Sequence, residues 1–123
     1  MVYFMHHCGN CGSALEVGRL TCPACRLVYD GSFHLPRLAR LEAGHQHLAE
    51  QILLAAGNLK EVAGVLEVSY PTLRKRIDAL IQALEALRGQ DDALGRRYLE
   101  AVEGGAMAPE EAARRIRELN GGA

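Results

Sequence analysis

The sequence predicts a mainly α-helical chain with a small β ribbon at its N-terminus, and three observations carry that expectation. Four cysteines fall in two close pairs among the first 25 residues. The apolar mass comes from Leu, Ala and Gly, while aromatic residues make up only 5% of 123 residues, which disfavours a β-sandwich. From residue 42 onward, apolar positions recur at three- and four-residue spacings, the period of a helix. The expected organisation is a ribbon over residues 1–36, a three-helix helix-turn-helix unit with a long third helix over 37–88, and a two-helix hairpin over 89–123.

The ribbon comes first. Cys8 and Cys11 form one C-x2-C pair, Cys22 and Cys25 a second, with ten residues between them. Each pair can wrap two thiolates around a metal, and two pairs complete a tetrahedral four-thiolate zinc site. The gap is shorter than usual for such sites but suits a tight ribbon. Two disulfides, a redox pair or an iron–sulfur centre are the other uses of four cysteines. A reducing compartment and the doubled spacing argue against the first two. One zinc held by Cys8, Cys11, Cys22 and Cys25 has no open position, so its expected role is structural. His6 and His7 are expected as exposed neighbours of that shell. Leu15, Val17 and Leu20, with Gly18-Arg19 as a turn, suit one hairpin between the pairs, and Asp30-Gly31 signals a second hairpin over Leu27–Leu35.

The helical elements follow in order. Leu48, Ile52, Leu53 and Ala55-Ala56 mark an amphipathic helix from Glu42, with Gly57 as its C-terminal cap. Asn58 caps the next helix and Glu61 stands in capping-box position. Leu59, Val62, Ala63 and Leu66 give it one apolar face. Glu67-Val68 is the turn, in place of the usual glycine, and Val68 points inward. Ser69 caps a third helix with Pro71 in its first turn. Two helices joined by so short a turn, with small Ala63 in the first, make a helix-turn-helix. Leu73, Ile77 and Leu80 face the core. Tyr70, Thr72, Arg74, Lys75 and Asp78 then face outward on a recognition helix near residues 70–80 that enters a major groove by its N-terminal end. Ser69, Tyr70, Thr72, Arg74 and Lys75, with Lys60 on the preceding helix, are the candidate contacts to double-stranded DNA. The other reading of that face is a solvated helix surface.

Gly57-Asn-Leu-Lys-Glu-Val-Ala-Gly-Val-Leu66 followed by Val68-Ser-Tyr-Pro-Thr-Leu-Arg-Lys-Arg-Ile77 resembles the Fis-type helix-turn-helix. With the cysteine pairs and the connector Phe33-His-Leu-Pro-Arg-Leu-Ala-Arg-Leu41, residues 8–88 are similar to the prokaryotic family called "domain of unknown function 2089". That resemblance implies a zinc ribbon joined to a helix-turn-helix, and a DNA-binding regulator. It carries the recognition role to Tyr70, Thr72, Arg74 and Lys75, and it implies no catalytic activity. The histidine pair before Cys8 departs from the family's pattern.

Leu80, Ile81, Leu84 and Leu87 continue the third helix as a heptad-like seam past the local core, which predicts a homodimer or packing on the tail. Gly89-Gln-Asp-Asp92 is expected to break the helix. Leu94, Tyr98, Leu99 and Val102 mark a fourth helix ended by Gly104-Gly105. Pro109-Glu-Glu111 opens a fifth, whose face is Ala112, Ala113, Ile116 and Leu119 and whose Arg114, Arg115 and Arg117 suit the helix dipole. This pair is similar to SHOCT-like interaction hairpins.

Charge and absent motifs narrow the function. Net charge is −1, a mild argument against nucleic-acid binding. Residues 1–41 carry four Arg against two acids, so Arg19, Arg26, Arg37 or Arg40 can reach phosphates; residues 89–123 carry five Arg against seven acids. No apolar run reaches membrane-spanning length, and the start has neither a basic flank nor a long apolar core, so a cytoplasmic chain without a secretory signal is expected. No Ser/His/acid set, phosphate loop or open metal site is present, and His34, His45 and His47 are isolated, the last two on different helix faces. The expectation is therefore no enzyme and no small-molecule substrate. A protein-interaction adaptor with an architectural helix-turn-helix is the alternative.

Overall fold

The computed structural model describes residues 7–122, so His6 and the start of the chain lie outside the described residues. The chain divides into two compact units, one ending at Pro36 and one beginning at Arg37.

In the first unit, strand β1 (Val17–Thr21) pairs antiparallel with β2 (Val28–Phe33). Two turn expectations are corrected here. Gly18-Arg19 lies inside β1 and Asp30-Gly31 inside β2, so there is one hairpin, and its turn is the second cysteine pair. The dipeptides have other work. Arg19 stands opposite Asp30 and binds its carboxylate at 2.7 Å. The register slips between Val17 and Arg19, which leaves Gly31 and Ser32 facing Gly18 in a bulge. A Cβ on Gly31 would lie 3.4 Å from the Phe33 ring, so a small residue suits the bulge. No described side chain of residues 7–36 is buried; Leu20, Leu27, Val28 and Tyr29 are exposed. A unit this small without a core needs a metal or cross-link to hold its shape.

The second unit opens with a short 3₁₀ helix, Arg37–Arg40, followed by α1 (Ala43–Leu54), α2 (Leu59–Val65), α3 (Tyr70–Glu103) and α4 (Pro109–Leu119). Its core is Leu41, Leu48, Val62, Ala63, Leu73, Ile77 and Leu80, with Ile52, Ala55, Leu59, Leu66 and Val68 packed against it. The expected faces of α2 and early α3 are those observed. On α1 the face differs, since Leu53 is 74% exposed. The expected caps of α2 and α3 form: Asn58 accepts from the Glu61 amide and Ser69 from the Thr72 amide, both at 3.3 Å.

All four helices end in the same device. An amide two residues past the C-cap reaches back five residues, as in Gly57 to Ile52, Val68 to Ala63, Ala106 to Ala101 and Gly122 to Arg117. The motif needs a left-handed residue. Gly105 and Gly121 supply it for α3 and α4, but Ala56 and Glu67 occupy it for α1 and α2, at φ 51° and 54°. Gly57 therefore follows the left-handed position that it was expected to fill.

The largest correction is α3. No break occurs at Gly89–Asp92; the helix runs unbroken for 34 residues, about 51 Å. Asp91 is 4% exposed and accepts from Arg37 Nε at 2.9 Å and from an Arg40 terminal nitrogen at 2.5 Å. A second Arg37 nitrogen donates to the Leu119 carbonyl at 3.3 Å. The polar stretch is thus the anchor of the connector, and it stays helical. Helix α3 crosses the expected boundary at residue 88, and the fourth and fifth helices become one hairpin of the end of α3 and α4. Ala112 and Leu119 are buried in it, and Arg115 stacks over Tyr98 at 5.5 Å.

Candidate metal knuckles and nucleic-acid interface

The two cysteine pairs are built alike. In each, the first cysteine's amide donates to the carbonyl five residues on: Cys8 to Ser13 and Cys22 to Leu27, both at 2.8 Å. Its carbonyl accepts from the residue four on, Gly12 or Arg26, and both of these take positive φ (75° and 68°). The resulting turns aim amides at sulfur: Asn10 N lies 3.4 Å from Cys8 Sγ and Cys25 N lies 3.5 Å from Cys22 Sγ. These contacts favour thiolate. Ser13, by side chain and then backbone, followed by Cys8, holds Cys11 below the usual thiol range. The Cys25 and Ala24 amides do so for Cys22. All four cysteines are free. Thiolate character, paired spacing and amide-to-sulfur bonds fit a soft metal such as zinc. The structure brings Cys8 to Cys11 and Cys22 to Cys25 as two half-sites. Among the described residues, no three metal-ligating side chains gather into a single shell. His7 is exposed and bridges Ala14 beside the first turn.

The expected contact face lies on the first turns of α3. Ser69 is spent on its cap, its hydroxyl donating to Thr72 Oγ1 at 2.9 Å. Tyr70 is 51% exposed, and Thr72, Arg74 and Lys75 are exposed beside it. Arg74 has an exposed partner in Asp78 at 3.5 Å, a pairing too weak and solvated to withhold it from a ligand. Lys60 is exposed near the start of α2. Arginines expected from sequence to meet phosphates fare differently: Arg37 and Arg40 are committed to Asp91, whereas Arg19 has only an exposed partner in Asp30 and Arg26 is exposed.

The seam residues are largely used within the chain. Leu80 is buried, Leu84 and Leu87 pack against the core, and Ile81 is 46% exposed. The expectation that the seam runs past the local three-helix core, onto the tail or a second chain, is therefore corrected for Leu84 and Leu87. Sequence reasoning missed the Arg37–Asp91–Arg40 cluster. Its partners are 51 and 54 residues apart, and no local spacing signals the pairing.

With this geometry in place, two family models match the chain: "DUF2089 zinc ribbon" over residues 8–39, and "Domain of unknown function (DUF2089)-HTH" over residues 41–87. The chain belongs to the DUF2089 family. No curated protein and no solved structure matches it. The DUF2089 ribbon match takes in both cysteine turns, and the DUF2089 helix-turn-helix match takes in α1, α2 and the first half of α3. Together they point to zinc binding and, at a general level, to a nucleic-acid-binding regulator. The α3–α4 hairpin lies mostly beyond both. No helix among the described residues is long and apolar enough to cross a membrane.

Proposed function

We propose that this chain is a sequence-specific, double-stranded-DNA-binding transcriptional regulator that carries one structural zinc and catalyses no reaction. The observation that supports it most is the start of α3: a capped, rigid first turn, buried on the Leu73–Ile77 side, that turns Tyr70, Thr72, Arg74 and Lys75 to solvent. That is the geometry by which a second helix enters a major groove and meets base edges and phosphates. Lys60 adds a phosphate contact. In this reading all four cysteines close on one zinc. Self-association belongs to the proposal as well, because two such helices about 34 Å apart would read a palindrome. Ile81 is the seam residue left facing solvent.

Selection from a random duplex pool tests the reading. It expects an enriched motif whose binding weakens steeply with salt. An unenriched pool, with no salt-sensitive retention, refutes it. Zinc titration against thiol count, expected at one metal per four thiols, tests the metal part separately.

A protein-interaction adaptor is the second reading. The exposed Leu20, Leu27, Val28 and Tyr29 of the ribbon and the net charge of −1 favour it. A stable protein partner with no retention on duplex DNA would decide for it.

A further inference from the structure

A cavity of about 370 Å³ opens between the start of α1 and the first turns of α3. This volume is in the range of small-ligand pockets. Leu48, Leu66 and Ala79 form its apolar walls, and His45, His47 and Arg76 supply its polar groups. The two histidines, expected on different helix faces, border the same space. His45 Nδ1 is buried and has no hydrogen-bond partner among the described residues. Arg76 makes no ion pair among the described residues, and no carboxylate lines the cavity.

A cation without a counter-charge beside apolar walls describes one ligand chemistry. We propose that this cavity binds a small organic carboxylate. The carboxylate sits on the Arg76 guanidinium, and a short apolar body fills the space against Leu48, Leu66 and Ala79. A planar fork suits a carboxylate in two-point contact. Arg76 rides on the same helix as Arg74 and Lys75, so an occupant is placed to act on DNA binding. That consequence rests on the proposed function, whereas ligand binding is measured without DNA and stands or falls alone.

The probe is benzoate, titrated into the full, zinc-loaded chain while amide NMR shifts are followed, with neutral benzamide as its isosteric control. Saturable millimolar shifts at residues 44–48, 66 and 76–79 are expected. Benzamide and Arg76→Gln should each weaken binding about tenfold, the scale of a charge-assisted hydrogen bond. Arg76 is exposed, and the variant's amide dispersion reports whether it stays folded. Should it unfold, the benzamide comparison still decides. Absent or non-saturating shifts, shifts confined to other residues, or equal binding of benzamide overturns the proposal. So does a folded Arg76→Gln that binds benzoate as well as the parent.

Discussion

Glu67 holds φ at 54° in the turn between α2 and α3, and Ala56 holds 51° after α1. A left-handed L-residue costs about 1–2 kcal/mol, part of which glycine gives back through its freer unfolded chain. Glu67→Gly should therefore stabilise the helical unit by about 0.5–1 kcal/mol, read as a higher urea midpoint at unchanged slope. A lower midpoint would mean that the Glu67 side chain makes an interaction worth more than the strain. Asp91 works in the opposite direction. It is buried and shared by two arginines that are themselves partly exposed, so removing it strands charge. Asp91→Ala should cost about 2–3 kcal/mol, below the full figure for a buried pair because water reaches the arginines. A loss within experimental error would show that the cluster is ornamental. The Asp91 cluster was illegible in the sequence because a charge's partner across 50 or so residues leaves no local trace. The Asn58 and Ser69 caps were legible because a cap and its amide lie three residues apart.

At the scale of elements, legibility follows the same distinction. The periodicity of α2 and early α3 is local and reads correctly. Strand pairing is not, and Asp30-Gly31, an ordinary turn signal, is a ladder partner plus a bulge because the cysteine turn already reverses the chain. Gly89 and its polar neighbours read as a breaker because propensity alone cannot see the Asp91 anchor. The continuity of α3 is testable at that residue, where a Cβ would meet open space. Gly89→Ala should stabilise by about 0.5–1 kcal/mol, as in any helix interior. A destabilised variant would restore the break. Helix α4 has its own signature in acid. Arg114 and then Arg115 bind Glu111 and pull its carboxyl from 4.5 to about 2. A lowered folded pKa stabilises above the unfolded value, so this contribution is present above about pH 4.5. It fades as pH falls toward about 2. Helicity assigned to α4 by NMR should decline through that window in the parent, and Glu111→Gln should flatten the decline. An identical acid profile in the variant would remove Glu111 from the account.

Across the whole molecule, stability and recognition are housed differently in the two units. The ribbon buries no described side chain, so its shape is expected to depend on metal. The helical unit has its own core of Leu, Ile, Val and Ala. Chelation should erase the amide dispersion of residues 7–36 and leave the helical far-UV signal nearly intact; loss of the helices on chelation would contradict this division. The cysteine site was the most legible feature, because two C-x2-C pairs state their chemistry in their spacing. The closure of all four thiolates on one zinc, expected from that spacing, stays part of the proposal and is tested by the zinc titration. The outward face of early α3 was legible residue by residue, since burial of Leu73 and Ile77 leaves Tyr70, Thr72, Arg74 and Lys75 exposed. The central claim is that this face holds DNA. The direct measurement is duplex affinity of the zinc-loaded chain against salt, compared with a folded Arg74→Ala, Lys75→Ala double variant. Affinity about thirtyfold or more lower, with a shallower salt slope, is the result expected of two contacts removed. Unchanged affinity and slope would contradict the claim and move the function away from α3.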